Sequence, residues 1–223
     1  MIVVATNNGH RFLPELIRSI EECGDGGHEV VIVDTQSSAP EAQEYLSTLA
    51  AYSGPLRLSV DQTPYKGYDT GAYLHAFRKL AADSYIFLQD SACPKEPGWT
   101  EAFTSRLTYG VGCVPWLTFP LQWDEEGQLE FIRQQYRTDR VPPLGVFGPM
   151  FAASRESLLK LDQMKLLDAI PSTKVEQQAM ERGWPLAFFL GGFGIRPIHT
   201  MFSERKLRAG EYGVLFKRLP KRS

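Results

Sequence analysis

The stretch that decides the predicted fold is Lys66–Pro94, KGYDTGAYLHAFRKLAADSYIFLQDSACP. It is typical of a loop, an amphipathic helix and then a buried strand, with Asp90 directly after the apolar run Tyr85–Leu88. An earlier apolar strand, Glu29–Val33, ends in the same way at Asp34. Because open α/β sheets bind ligands at the carboxyl ends of their strands, the pattern predicts a nucleotide site there. The two carboxylates make this position a candidate metal site as well.

Strand and helix signals alternate through the first half of the chain. A short helix is predicted after each of the first three strands, opening near Pro14, near Pro40 and at Asp69 or Thr70, where either side chain would be the N-cap. This alternation implies a mostly parallel sheet with right-handed crossovers. The predicted strands are Ile2–Thr6, Glu29–Asp34, Leu56–Val60, Tyr85–Asp90 and, interrupted by Pro115, Val111–Phe119.

The second half of the chain has a different character, with more polar and glycine-rich segments. We predict a short strand at Gln128–Arg133. Thr173 is expected to cap a helix that Gly183 ends, and Leu186–Leu190 is expected to be a last buried strand. Gly191–Gly213 is predicted to be a mobile loop over the sheet.

Composition excludes several classes of protein. The chain has 223 residues, 43% hydrophobic and 22% charged, which suits an ordinary globular domain, and its net charge of −2 gives no basic field for nucleic acid. Three widely spaced cysteines without a CxxC pair indicate neither zinc nor disulfides, so a reducing, cytoplasmic compartment is expected. We expect neither a signal peptide nor a transmembrane segment. A small basic tail is a candidate for weak contact with a membrane surface; it contains Lys217, Arg218, Lys221 and Arg222.

Four segments carry a family resemblance: a strand with an Asn-containing turn at Ile2–Asn8, a helix at Leu13–Ile20, a strand that ends in Asp34 within Val31–Ser37, and a later helix at Glu176–Trp184. In this order they resemble the family-2-type inverting glycosyltransferases of the GT-A fold, in which the last of these helices carries the base. The resemblance implies a single GT-A-like, Rossmann-type α/β domain, a mostly parallel sheet flanked by helices. Residues 1–120 would form the nucleotide-binding half, and residues 121–223 the acceptor-side half with a C-terminal loop.

The resemblance also implies a function and the residues that perform it. The chain would transfer a sugar with inversion from a nucleotide-sugar donor to a glycan or another hydroxyl acceptor. Asp34 would hold the nucleoside, Asp69 would face the donor, and Glu176 would be the general base. The donor diphosphate would be held by Asp90 and His199, through Mn²⁺ or Mg²⁺, and by Arg205.

Each of these residues also has a structural interpretation. Asp34 could cap the turn that follows it, Asp69 could be a helix cap, and Glu176 completes a capping box with Thr173. The chain carries Gln89-Asp90-Ser91 where the family has a D-x-D pair, and Gln177 where the family has a second acid.

Three other functions compete with glycosyl transfer. A degenerate GT-A domain that binds nucleotide or glycan without turnover is the main alternative, because two family acids are replaced by amides. A sugar-phosphate nucleotidyltransferase ranks lower, since the segment after the first strand has Gly9 alone instead of a glycine-rich loop. A dinucleotide-binding dehydrogenase is disfavoured, because no GxGxxG motif follows that strand.

Overall fold

The computed structural model describes residues 1–24, 27–66, 68–118, 127–139, 145–146, 148–199, 211–212 and 215–217. Within these ranges the chain forms seven helices and two sheets. The helices are α1 Leu13–Glu22, α2 Pro40–Ala50, α3 Tyr68–Lys79, α4 Trp99–Thr104, α5 Gln128–Tyr136, α6 Arg155–Gln163 and α7 Lys174–Leu190. The strands are β1 Ile2–Thr6, β2 Glu29–Asp34, β3 Arg57–Gln62, β4 Ser84–Gln89, β5 Ala92–Pro94, β6 Val111–Thr118, β7 Gly145–Val146, β8 Phe151–Ser154, β9 Gly194–His199, β10 Glu211–Tyr212 and β11 Leu215–Lys217.

The main sheet is mostly parallel, as the alternation of strands and helices predicts. Its order is β3-β2-β1-β4-β8-β6-β7, with β9 paired to β6, and β3, β2, β1 and β4 are all parallel. Strand β8 runs antiparallel to both β4 and β6, so β6 and β9 point in the same direction as the first four strands. The smaller sheet joins β10, β11 and β5.

The register aligns the carboxyl ends of the central strands at one edge. Thr6 at the end of β1 lies opposite Asp34 on β2, and Asp34 lies opposite Gln62 on β3. On the other side of β1, Ala5 lies opposite Gln89 at the end of β4. The polar residues that end these strands therefore meet along one line.

Alternating side chains of the central strands supply two cores, one on each face of the sheet. Val3, Val31 and Phe87 belong to the core that also contains side chains of α3, α5 and α7. Ile2 and Ile32 belong to the core shared with α1, α2 and α4. Both faces are buried, which explains the continuous apolar sequences of β1, β2 and β4.

Three of the predicted elements are wrong in the second half. Gln128–Arg133 is part of helix α5, because Gln128, Phe131, Ile132 and Tyr136 are buried together with helical spacing. The predicted strand Leu186–Leu190 is the last part of helix α7, which continues beyond Gly183. Within the predicted loop after Gly191, residues 194–199 form strand β9 beside β6.

Packing explains why helix α7 continues through residues that usually end helices. A Cβ on Gly183 would lie 2.7 Å from Sδ of Met180 and 3.3 Å from Cδ1 of Ile132, so the glycine permits close packing against α5. Trp184, Pro185 and the three residues that follow are all buried. The burial of this apolar turn outweighs the helix-breaking tendency of Pro185.

Two smaller predictions also need correction. Helix α3 begins at Tyr68, so Asp69 and Thr70 lie in its first turn and neither is the N-cap. Strand β6 runs from Val111 to Thr118 without interruption at Pro115. In the part of the chain that the structure describes, no helix combines the length and the hydropathy needed to cross a bilayer.

Candidate functional site

Two adjoining cavities lie at the carboxyl edge of β1, β2 and β4, and we call them together the cleft. The first, the Lys66 cavity, has a volume of about 350 Å³, and the second, the Asp90 cavity, about 270 Å³. Asn7 and Tyr68 line both. The Lys66 cavity is also lined by Thr35, Gln36, Lys66 and Ser172. The Asp90 cavity is also lined by Ala5, Phe12, Asp69, Gln89, Asp90, Ser91, Lys174 and Gln177.

Three non-glycine residues at this cleft have positive φ angles; among the described residues, Arg137 and Lys165 share this property elsewhere. Asn8, Gln36 and Tyr68 have positive φ angles of 55°, 67° and 48°. Each such conformation costs on the order of 1–3 kcal/mol and persists where the surroundings hold it in place. The side chain of Asn8 accepts hydrogen bonds from the backbone N–H groups of Ser38 (3.0 Å) and Ala39 (2.8 Å), which ties the loop after β1 to the loop after β2. These contacts fix the relative position of the two loops that border the cleft.

Asp34 lies under the loop that lines the Lys66 cavity. Its side chain accepts hydrogen bonds from the backbone N–H (3.0 Å) and the hydroxyl (2.6 Å) of Ser37, and from Nε2 of Gln62 at 3.4 Å. The residue is only 5% exposed. The turn-capping interpretation of Asp34 is therefore confirmed, and contact with a nucleoside stays a prediction.

Asp90 lies at the end of β4 and lines the cavity named after it. Its Oδ2 accepts a hydrogen bond from Oγ1 of Thr6 at 2.8 Å. A Cβ on Gly9 would lie 2.0 Å from the same Oδ2 and 2.3 Å from Thr6 Oγ1. The turn after β1 therefore approaches the Asp90 carboxylate so closely that a larger residue at position 9 would displace the carboxylate or the turn.

Asp69 is held between two other elements of the fold. Its Oδ2 accepts a hydrogen bond from Nε2 of Gln89, at the end of β4, and another from Nε2 of Gln177, in the first turn of α7, at 3.4 Å. Gln177 is 3% exposed, and its Oε1 has no hydrogen-bond partner among the residues described. Gln177 therefore holds the Asp69 carboxylate from the first turn of α7.

The charges of the cleft are mixed. Asp69 and Asp90 face the Asp90 cavity together with Lys174, and Lys66 lines the neighbouring cavity. Below them, burial raises the pKa of the Tyr73 hydroxyl well above its ordinary value, and the negative charges of Asp69 and Asp90 raise it further. Such a cleft can hold an anionic ligand at its lysines while its carboxylates interact with a cation or with hydroxyl groups.

Glu176 occupies the capping-box position that the sequence predicts. Its Oε2 accepts hydrogen bonds from the hydroxyl of Ser172 at 2.8 Å and from the backbone N–H of Thr173 at 3.1 Å. The backbone N–H of Ser172 also donates to it and is the main cause of a pKa below the ordinary value for a glutamate; burial opposes this effect. At this point of α7, Gln177 lines the Asp90 cavity and Glu176 does not. A catalytic role for Glu176 stays a prediction.

For two predicted site residues, the structure does not describe the side chain. His199 ends strand β9 opposite Trp116 of β6, but its side chain is not among those described. Arg205 lies outside the described residues. The structure thus brings Asp69 and Asp90 to the Asp90 cavity, and it places Asp34 directly before the two residues, Thr35 and Gln36, that line the Lys66 cavity.

Sequence reasoning missed several residues of the cleft, chiefly Asn7, Tyr68, Lys174 and Gln177. The spacing of Lys174 and Gln177, three residues apart on one helix, was a signal that both share a face. Tyr68 is 36% exposed and lines both cavities, so its ring is available to a ligand.

The fold of this chain is similar to the folds of several solved structures. The sequence itself matches no protein-family model and no curated protein. The structure of GalNAc-T7 with UDP, GalNAc and Mn²⁺ superposes with a TM-score of 0.58 at 15% identity, covering 91% of this chain and 44% of that one. The mannosyltransferase PcManGT of Pyrobaculum calidifontis, in complex with GDP-Man and Mn²⁺, gives 0.55 at 18% identity, covering 88% and 53%.

A third solved structure covers almost all of this chain. It is glucosyl-3-phosphoglycerate synthase of Mycobacterium tuberculosis with Mn²⁺, UDP and glucosyl-3-phosphoglycerate, which covers 98% of this chain and 71% of its own, with a TM-score of 0.52 at 14% identity. The chain has the GT-A fold. This GT-A chain spans about half the length of GalNAc-T7 and PcManGT. The resemblance in sequence pattern and the architecture thus agree on the fold.

Proposed function

We propose that this GT-A chain is a glycosyltransferase that moves a sugar from a nucleotide-sugar donor to a hydroxyl acceptor, with inversion at the anomeric carbon. The observation that carries the proposal is the cleft, in which two cavities share Asn7 and Tyr68 and end at Asp90. Open α/β sheets bind nucleotides at this edge. The structural neighbours described above were solved with UDP or GDP-Man, which supports a donor of the same class.

The two cavities suggest how a donor would be placed. We assign the nucleoside to the Lys66 cavity, above Asp34, with the ring of Tyr68 offering an apolar surface to the base or the sugar. The diphosphate and the sugar would extend into the Asp90 cavity, where Lys174 supplies positive charge and Asp69 faces the sugar. Arg205 and His199 are predicted to assist the leaving diphosphate.

We propose that a divalent cation at this cleft is held partly by the donor, because the chain carries a single carboxylate in Gln89-Asp90-Ser91. The described residues contain no group of three or more His, Cys, Asp or Glu side chains that could hold a metal ion. Mg²⁺ and comparable ions are often bound through one or two carboxylates plus substrate phosphates, and Asp90 suits that role. When bound, Mn²⁺ or Mg²⁺ would neutralise charge that develops on the leaving diphosphate. We therefore propose weak, donor-dependent metal binding, with His199 as a predicted second ligand.

Inverting transfer is a single displacement. The acceptor oxygen bonds to the anomeric carbon, the bond from that carbon to the diphosphate oxygen breaks with its electron pair, and the hydroxyl proton passes to a carboxylate. Glu176 is the base that the sequence predicts. The cytoplasmic location and the weak membrane contact of the basic tail stay predictions.

The proposal is tested by a thermal-shift screen of UDP-, GDP-, dTDP- and CMP-sugars, with and without Mn²⁺. A ligand that binds the native state raises the melting temperature, so we expect a shift with one nucleotide class and a modest further gain with Mn²⁺. EDTA should remove that gain and leave part of the nucleotide shift. The proposed donor class would be wrong if no nucleotide sugar shifted the transition.

Asp34→Ala is expected to weaken nucleotide binding by about 1.5–3 kcal/mol, the value of a hydrogen bond to a charged group. Isothermal calorimetry with the nucleotide found in the screen measures this change. Because Asp34 also binds the Ser37 hydroxyl, Ser37→Ala is the matched control; it removes that hydroxyl contact and keeps the carboxylate with its bond from the backbone N–H of residue 37. An equal loss of affinity in both variants would show that Asp34 acts only through the turn.

A further inference from the structure

Three elements of the fold converge on the carboxylate of Asp69, and this convergence assigns it a role beyond donor contact. Asp69 comes from the first turn of α3, Gln89 from the end of β4, and Gln177 from the first turn of α7. We infer that Asp69 is the catalytic residue that accepts the proton of the acceptor hydroxyl. The inference rests on the proposed function, because it concerns the chemical step of the same cleft.

The contacts of Asp69 fix the position of its carboxylate. Gln89 and Gln177 donate to one oxygen, Oδ2, from two different elements. Amide N–H groups only donate, so Asp69 accepts both bonds and its side chain cannot rotate without breaking them. A proton acceptor has to be held at a defined place beside the reacting hydroxyl, and these two bonds provide such a hold.

The surroundings of Asp69 also suit a substrate hydroxyl. Asp69 lines the Asp90 cavity together with Asn7, Tyr68 and Gln177. The hydroxyl of an acceptor in this cavity can donate its one proton to the Asp69 carboxylate, which only accepts hydrogen bonds. The structure therefore places a fixed proton acceptor on the wall of the cavity.

The other candidate carboxylates are committed to different tasks. Glu176 is held by Ser172 and Thr173, and its lowered pKa makes it a weaker base. Asp90 accepts a hydrogen bond from the hydroxyl of Thr6, and it lies where we place the diphosphate and its cation. Among the residues that the structure describes, Asp69 and Asp90 are the carboxylates that line the two cavities, which favours Asp69 for proton transfer.

In the proposed reaction, proton transfer to Asp69 accompanies a single displacement at the anomeric carbon. The acceptor O–H bond breaks as the oxygen bonds to the anomeric carbon, and the proton passes to the Asp69 carboxylate. The bond between the anomeric carbon and the diphosphate breaks, and its electron pair leaves with the nucleoside diphosphate. Protonated Asp69 then returns its proton to water.

An acceptor that carries no proton distinguishes proton acceptance by Asp69 from a purely structural role of this residue. Azide attacks the anomeric carbon as an anion and needs no base, whereas water or a sugar hydroxyl needs one. The experiment follows UDP-N-acetylglucosamine, UDP-glucose and GDP-mannose with wild type and Asp69→Asn, each with water and with azide as acceptor. We expect Asp69→Asn to lose hydrolysis by about 10²–10⁴-fold, the usual contribution of a positioned proton acceptor, and to keep formation of the glycosyl azide.

Matched variants make each outcome decisive. Asp139→Asn changes a carboxylate that is 95% exposed and should behave as wild type. Asp69→Ser, also compatible with the first turn of a helix, repeats the test if the Asn variant is poorly folded, and calorimetry with UDP or GDP checks the nucleotide site. Equal loss of hydrolysis and azide transfer in both Asp69 variants would overturn the role, as would a hydrolysis-specific loss in Glu176→Gln. A wild-type protein that binds these donors but turns none over would overturn the proposed function as well.

Discussion

We expect Asp90→Asn to lower the turnover of sugar transfer by about 10²-fold, equivalent to about 2.7 kcal/mol of transition-state stabilisation. The substitution preserves the size of the side chain and an oxygen that can accept from Thr6. It removes the charge that would bind the cation on the leaving diphosphate, so turnover should fall more than nucleotide affinity. The measurement is release of nucleoside diphosphate at saturating donor over a Mn²⁺ series.

Gly9 offers an independent way to disturb the same carboxylate. Gly9→Ala would place a methyl group 2.0 Å from Oδ2 of Asp90, so the carboxylate or the turn has to move. Its turnover should fall in the same direction as that of Asp90→Asn. Gly27→Ala is the matched control, because a Cβ there meets nothing within 4 Å. Wild-type turnover of Asp90→Asn at every Mn²⁺ concentration would contradict the assigned role.

Phe151→Ala is expected to lower the free energy of unfolding by about 3–5 kcal/mol. Phe151 is 1% exposed on β8 and joins the two parts of the sheet. Its ring centroid lies 4.9 Å from that of Phe87 on β4 and 4.5 Å from that of Trp184 on α7. Removing the ring leaves a cavity among these aromatic side chains, and urea denaturation measures the cost.

Phe189→Ala is the matched control for this substitution. Phe189 is 61% exposed near the end of α7, so the same change removes little buried area. Its free energy of unfolding should stay within about 0.5 kcal/mol of wild type. Equal destabilisation by the two substitutions would show that the aromatic cluster of β4, β8 and α7 is not packed as described.

Local sequence determined the first half of the fold because each element there is self-contained. Strands β1, β2 and β4 carry continuous apolar runs, and Pro14 and Pro40 mark helix starts, so their order and type could be predicted. The parallel register then aligned Asp34 with the end of β1, as the pattern indicated.

Tertiary packing decided the second half, where the predictions failed. Leu186–Leu190 is apolar enough for a strand, and the preceding Gly183 and Pro185 are helix breakers in isolation. The burial of Trp184–Phe188 in the folded protein shows why the helix continues. The short apolar pattern at Gln128–Arg133 was similarly ambiguous between period 2 and period 3.6.

The sequence predicted those residues of the site whose position within a single strand or helix is informative. Asp90 and Asp69 were identified from their positions after a strand and before a helix. The contact of Gln177 with Asp69 joins residues 108 positions apart, and it depends on how α7 packs against α3. Because this contact holds the Asp69 carboxylate at the cavity, we propose Asp69 and not Glu176 as the proton acceptor.

The most direct test of the account is proton NMR of a nucleotide sugar during turnover by the wild-type protein. The sample contains the donor found in the thermal-shift screen, Mn²⁺ and a panel of simple glycosides as acceptors. The account predicts that the anomeric signal of the donor decays, nucleoside diphosphate accumulates, and the product signal shows the opposite anomeric configuration. A donor that binds at the cleft and stays intact with every acceptor and with water would contradict the proposed transfer.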